Sequence, residues 1–247
     1  MDIVIKDQIL GNGEFYSTET KKDTLYFHHT AGSHRPDWVI NGWDTDDNVN
    51  SATGKKTPRA VGTSFVIGGI STTDKNADFD GVIYRAFNEK YWTHHLGTKY
   101  ANNTTLNKQS IGIEVCNYGP LTLGKDGVFY NYVNKSIPKE MVVKLDKIFK
   151  GFLYYHAYTD KQIQTLKDLS IFLKSKFPEI TFNTPLTSVE GFELSNDAKS
   201  GKPGIYSHTN VRSDKFDMSP QPKLIEMIKT LKNNTNEGTM LFPSHCV

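Results

Sequence analysis

Leu25-Tyr26-Phe27-His28-His29-Thr30-Ala31-Gly32 decides how the rest of this 247-residue chain is organised. Thr24 to His29 reads as a short buried strand that runs into a turn of small residues. Successive side chains of a strand point to opposite faces, so one of His28 and His29 faces a cleft while the other packs or meets solvent. Ser110 to Cys116 is the most strand-like stretch of the chain. Phe65-Val66-Ile67 and Val82-Ile83-Tyr84 are shorter strands, separated by a loop that closes on the turn signal Asp80-Gly81.

The helical signals lie between and after these strands. A helix can begin after Arg35-Pro36, because proline suits a first helical turn. After Pro138, the residues Met141, Leu145, Ile148, Phe149 and Phe152 recur at helical spacing and predict a helix. After Thr159, an N-cap, Ile163, Leu166, Leu169 and Leu173 do the same until Phe177-Pro178 ends the run. A last amphipathic helix is expected from about Pro222 to Leu231. Thr45 to Thr57 and Thr184 to Pro203 read as loops. So does Tyr91 to Asn107, which holds Trp92, His94, His95 and Gly97 and is long enough to suggest function. Strands first and last with helices between predict a mixed α/β (α+β) fold, a central mixed β-sheet flanked by helices. One domain is expected over residues 1–232, with a tail at 233–247.

Composition narrows the function. With 29 basic against 27 acidic side chains the net charge is +2, which provides no basic face for nucleic acid. No apolar run approaches a bilayer-spanning length, so membrane insertion is not expected. Met1 to Gly13 is charged and poor in apolar residues, and shows no signal peptide. The two cysteines are too few for a disulfide framework. Cys116, in a strand-like run, is expected to be a buried inert thiol, and Cys246 to lie on the tail.

Eight histidines are present, four of them in the adjacent pairs His28-His29 and His94-His95. His208 follows Gly204-Ile205-Tyr206-Ser207, and Asp217 comes nine positions later with Lys215 between them. Singly, these are a structural histidine, an exposed polar loop and a surface lysine. Together, two neutral imidazoles and one carboxylate suffice to hold a catalytic zinc and leave a position for water. No spacing matches a helical His-Glu-x-x-His motif, so the set has to assemble from distant segments.

Four motifs in order resemble the zinc-dependent N-acetylmuramoyl-L-alanine amidase family, which includes phage lysozyme-type amidases, bacterial recycling amidases and peptidoglycan recognition proteins. Leu25 to Gly32 resembles its first zinc strand, Ser110-Ile111-Gly112-Ile113-Glu114-Val115 its central strand, the stretch from Tyr158-Thr159 through a helix to Ser207-His208 follows the family order, and Lys215-Phe216-Asp217 resembles its closing loop; His95-Leu96-Gly97 is similar to the His-x-Gly of its substrate cleft. The match runs from about residue 24 to 220. Carried over by position, the resemblance implies His28, His208 and Asp217 as ligands of one Zn²⁺, with His29 the non-ligand neighbour. It implies Glu114 and Lys215 as the catalytic pair and His95 in the substrate cleft. Trp92, Tyr91 and Tyr100 could line a groove there. The chain departs from the family at Gly62-Thr63-Ser64-Phe65, which lacks a tyrosine found in some members. It also has two extra residues between Asp217 and Pro220, and insertions near 44–58 and 184–203. The implied reaction is cleavage of the bond between N-acetylmuramic acid and L-alanine, with peptidoglycan or muropeptide as the partner. A monomer is expected, held in the host cytoplasm as a phage or prophage endolysin until lysis. A recognition domain that binds without cutting and a cytosolic muropeptide-recycling amidase are the alternatives.

Overall fold

The computed structural model describes residues 3–237. Its elements in chain order begin with β1 (Ile5–Asp7), β2 (Thr24–His29), α1 (Pro36–Thr45), β3 (Asn48–Val49), β4 (Lys56–Thr57), β5 (Phe65–Ile67) and β6 (Ile83–Arg85). Then follow α2 (Asn103–Gln109), β7 (Ser110–Val115), β8 (Pro120–Leu123), β9 (Phe129–Tyr130), β10 (Ser136–Ile137), β11 (Val142–Phe149) and β12 (Phe152–His156). The chain continues through α3 (Asp160–Lys176), α4 (Asn196–Ser200), β13 (Gly204–Ser207) and α5 (Pro222–Glu237).

A six-stranded mixed sheet, ordered β1-β6-β5-β7-β2-β13, forms the centre. All its pairings are parallel except β5 with β6. Period-two alternation assigns its two faces. Leu25, Phe27, Ile111, Ile113 and Val115 enter one core with Leu166, Leu169 and Leu173 of α3 and with Leu224 and Ile228 of α5. On the opposite face Tyr26 packs with Leu106 of α2, and Val66 with Ile40 of α1. The expected helix at 160–176 has its cap: Thr159 Oγ1 accepts from the Gln162 backbone N–H at 3.0 Å, and the Gln162 side chain accepts from the Thr159 N–H at 3.0 Å. Each fully buried leucine of α3 contributes roughly 1.5–3 kcal/mol relative to exposure.

The expected helix after Pro138 does not form. Residues 142–156 are instead the hairpin β11–β12, part of a second, antiparallel sheet ordered β10-β9-β8-β12-β11. A register shift between Lys144 and Phe149 breaks the simple alternation of β11. It leaves buried Leu145 and Phe149 four residues apart, which imitates a helical repeat, while Ile148 is 68 % exposed. The true signals are β-branched Val142 and Val143, the aromatic run Phe152 to Tyr155, and the turn Lys150-Gly151 with both residues at positive φ.

Smaller differences follow the same logic. The 45–57 segment carries the short ladder β3–β4, α2 occupies the end of the expected 91–107 loop, and 184–203 contains α4. The last helix runs to Glu237, six residues past the expected end at Leu231. Residues 238–247, with Cys246, lie outside the described residues. Cys116 is buried and free, as expected. Among the described residues, no helix is long and apolar enough to cross a membrane.

Candidate metal centre

The parallel strands β2, β7 and β13 all end at one edge of the central sheet, and the chemistry collects there. Leu25 and Phe27 face α3 and α5, so His29 shares their side while His28 shares that of Tyr26. His28 sits in register with Glu114 of β7. His208 opens a short 3₁₀ turn directly after β13, capped by Ser207 and Asn210. The 184–203 segment braces that turn, because the Asn210 amide donates to the carbonyls of Gly191 at 2.9 Å and Glu193 at 2.6 Å.

Three donor atoms converge. His28 Nδ1 lies 3.1 Å from His208 Nδ1 and 3.1 Å from Asp217 Oδ2, and His208 Nδ1 lies 3.0 Å from Asp217 Oδ2. The other nitrogens show which atoms carry protons. His208 Nε2 is 2.8 Å from the Leu96 carbonyl, which can only accept, so Nε2 holds the hydrogen and Nδ1 the lone pair. For His28 the same conclusion follows through a relay. Ser110 Oγ donates to the Leu106 carbonyl at 2.7 Å, and therefore accepts from His95 Nε2–H at 2.8 Å. His95 Nδ1 then accepts from His28 Nε2–H at 3.0 Å, which leaves the lone pair of His28 Nδ1 at the centre.

Two imidazole lone pairs and a carboxylate oxygen thus face one another with no hydrogen between them. A cation resolves this. A tetrahedral zinc with bonds of about 2.0–2.1 Å has ligand–ligand edges of roughly 3.3–3.4 Å, close to the observed triangle. His28, His208 and Asp217 form a group that could hold a metal ion, and the donor set fits zinc. Burial, partly offset by Asp217, lowers the His28 pKa to about 4, so the ring stays neutral and able to ligate. Burial alone would raise the Asp217 carboxyl, but the His208 and His28 rings beside it outweigh burial and hold it well below the usual carboxylate range.

Glu114, Lys215 and His95 join the three donors around an open cavity of about 340 Å³, whose outer wall includes Trp43, Arg59 and His94. Burial pushes the Glu114 carboxyl well above its usual range, and the Asp217 charge adds to this. Lys215 is half-buried. His29 is turned away from the triangle and lies 3.1 Å from the Tyr158 hydroxyl. The same hydroxyl accepts from the Ser219 N–H at 3.3 Å, and the Gln221 amide donates to the His156 carbonyl at 2.8 Å. These bonds anchor the two extra residues after Asp217.

A sequence profile of N-acetylmuramoyl-L-alanine amidases matches residues 19–217, a span that contains every residue of this centre. The chain belongs to the N-acetylmuramoyl-L-alanine amidase family. Among solved structures it is similar to PlyL, at 12 % identity and a TM-score of 0.47 over 93 % of this chain and 98 % of that one. It is also similar to the amidase LysC from Clostridium intestinale, at 15 % identity and a TM-score of 0.45 over 94 % and 99 %. AmpDh3 from Pseudomonas aeruginosa is 20 % identical with a TM-score of 0.43, over 86 % of this chain and 61 % of that one. No protein of curated function matches the chain in sequence.

Of the two substrate contacts that the resemblance implies for this amidase-family chain, His95 lines the cavity and Trp92 does not. Both ring nitrogens of His95 are engaged, one with ligand His28 and one with Ser110, so the ring braces the centre from the cavity wall. Gly112 makes room for it, since a Cβ there would lie 3.0 Å from His95 Nδ1 and 2.7 Å from Thr63. Trp92 is buried, stacked on Tyr16 at 4.0 Å, and is not part of the cavity lining. Tyr91 packs on Phe15, and Tyr100 lines a separate hollow with Arg212. The sequence gives Ser110 no functional signal of its own; the one pointer is Gly112 two residues later, whose missing Cβ admits the His95 ring that Ser110 holds.

Proposed function

We propose that the chain is a zinc-dependent N-acetylmuramoyl-L-alanine amidase, holding one zinc through His28, His208 and Asp217 and hydrolysing the amide between N-acetylmuramic acid and L-alanine of peptidoglycan. The observation that carries this reading is the triangle of three lone-pair donors, 3.0–3.1 Å on a side, opening onto a cavity walled by Glu114 and Lys215. Zinc in such a site polarises the scissile carbonyl and lowers the pKa of water towards neutrality. Glu114, on the cavity wall beside the triangle, takes the proton of the attacking water and passes it to the leaving amine. Lys215 places a compact cation where the carbonyl oxygen gains charge. Retention of all three donors together with Glu114 and Lys215 favours cleavage over recognition alone.

The test is digestion of purified peptidoglycan with and without a chelator, together with elemental analysis of the fresh protein. New L-alanine amino termini without new reducing ends are expected, lost on chelation. New reducing ends without amino termini, or full activity in zinc-free protein, overturn the reading. We further propose that the enzyme is a monomeric endolysin, contained in one domain over 1–232 and kept in the cytoplasm until it is released onto the wall. Its open cavity suits a polymer. Expressed in susceptible cells it should cause lysis only after the inner membrane is permeabilised; intact cells under that treatment, with muropeptides still cleaved in lysate, make it a recycling enzyme instead.

A further inference from the structure

A second hollow of about 410 Å³ adjoins the metal centre, and His29, Ala31, Lys215 and Asp217 line both. Its remaining surface is largely aromatic: Tyr118, Tyr132, Phe152 and Phe216, with Pro120. Three of these four rings come from the second sheet and the segments leading into and across it, and Phe216 precedes ligand Asp217. Phe152 and Phe216 meet edge to face at 5.9 Å. Tyr132 is 68 % exposed and Phe216 40 %. Single exposed aromatic residues are ordinary, but a set converging beside a reactive centre marks a binding surface.

From these observations we infer that the aromatic groove is the subsite for the glycan strand of the substrate, while the stem peptide leaves the centre on the side of Arg59 and His94. This rests on the amidase reading above. A pyranose ring presents faces of C–H bonds that pack against aromatic rings, and edges of hydroxyls that remain in water. It requires no ionic partner. The groove suits that chemistry, because the one charged side chain it does not share with the metal-centre cavity, Asp214, is already paired with Arg212 at 3.0 Å. The stem peptide carries carboxylates, and on the wall of the other cavity stands the guanidinium of Arg59, which gives one nitrogen to Asp46 at 2.8 Å and has further N–H donors for a second carboxylate. The volume lies within the roughly 300–1,000 Å³ of small-ligand sites. Both ends of the scissile bond therefore have matching chemistry on opposite sides of the centre.

Tyr132 is the residue to change. It sits on a turn closed by Asn131, whose side-chain oxygen accepts from the N–H groups of Val133 at 3.1 Å and Lys135 at 2.8 Å, so the backbone does not depend on the ring. Binding of two probes to the full-length protein would be measured by calorimetry. One is a peptide-free tetrasaccharide of alternating N-acetylglucosamine and N-acetylmuramic acid, and the other is the free stem tripeptide. Neither contains the scissile amide. Tyr132→Ala is expected to weaken the tetrasaccharide about ten-fold, the order of one aromatic contact, and to leave the tripeptide unchanged. Tyr132→Phe should bind the tetrasaccharide as the wild type does. Arg59→Ala should show the reverse selectivity. If Tyr132→Ala loses the tripeptide and keeps the tetrasaccharide, the groove holds peptide and the inference is overturned; unchanged binding of both probes also overturns it. A wild type that binds the tetrasaccharide but releases no L-alanine amino termini from peptidoglycan would leave the groove assigned and refute only the amidase reading.

Discussion

Ser110→Ala removes one hydroxyl that lies two hydrogen bonds from the metal centre, and the relay gives its effect a size. In the wild type the Leu106 carbonyl takes the Ser110 hydrogen, which obliges Ser110 Oγ to accept from His95 and His95 to accept from His28. His28 Nδ1 is thereby left unprotonated beside His208 and Asp217. With alanine at 110, His95 Nε2 has no acceptor. The ring is free to carry its hydrogen on Nδ1 and donate to His28 Nε2, which drives the His28 hydrogen onto the atom that must bind metal. Outer partners of this kind are worth about 10- to 100-fold in metal affinity, or about 1.4–2.8 kcal/mol at 1.4 kcal/mol per decade. The local loss of folding stability should be about 1 kcal/mol, since one buried carbonyl loses its donor. Zinc affinity would be measured by chelator competition, and the His28 tautomer from ¹⁵N shifts of the metal-free protein. Wild-type affinity together with an unchanged His28 tautomer in Ser110→Ala would refute the relay.

Four further outcomes test the rest of the site and fold. His208→Ala and Asp217→Ala should lose zinc and activity together, whereas Glu114→Ala and Lys215→Ala should keep zinc by elemental analysis and lose roughly two to three orders of magnitude in kcat. His29→Ala should retain zinc, because its ring bonds Tyr158 and not the triangle, but should lower the thermal midpoint by opening a buried cavity against Gly119. Leu145→Ala should destabilise the protein by about 2–5 kcal/mol as a core residue of a sheet, while Ile148→Ala, exposed on the same strand, should change denaturant midpoints little; equal losses would restore the helical reading of this segment. Burial lowers the Lys22 amine to about 7, so between that pH and the ordinary lysine value of 10.5 the unfolded chain binds more protons; stability should rise with pH through this window and the rise should vanish in Lys22→Met, as denaturant melts from pH 7 to 9.5 would show.

Much of the site was legible because strand chemistry is local. Buried β2 and β7 announce themselves through short stretches rich in apolar residues, Leu25-Tyr26-Phe27 in one and Ile111, Ile113 and Val115 in the other, and the alternation rule separates His28 from His29. Which of the two meets the metal could not follow from periodicity alone. That depends on the register of β2 against β7 and β13, a property of strands 81 or more residues apart in the chain. The relay was hidden for the same reason, since His95 and Ser110 meet across a loop and a helix whose path no local signal specifies.

The one large misreading and the aromatic groove have a common origin. A bulge in β11 set Leu145 and Phe149 at helical spacing, and the hairpin it concealed is what carries Phe152 towards Phe216. Read as a helix, residues 141–152 offer the centre no second sheet, and the aromatic residues that the sequence offers in its place, Tyr91, Trp92 and Tyr100, lie elsewhere. Gly119 links the two sheets. Its φ of +75° turns the chain out of β7 into β8, and any side chain there would strike His29, 2.5 Å from Nε2. The glycine therefore sets how closely the second sheet approaches the metal-bearing strand, and with it the depth of the groove. Gly119→Ala should separate the two functions: His28, His208 and Asp217 stay on their own elements and keep zinc, while cleavage of polymeric peptidoglycan falls more than that of a soluble muramoyl-peptide. Equal losses on both substrates would show that the second sheet serves stability alone.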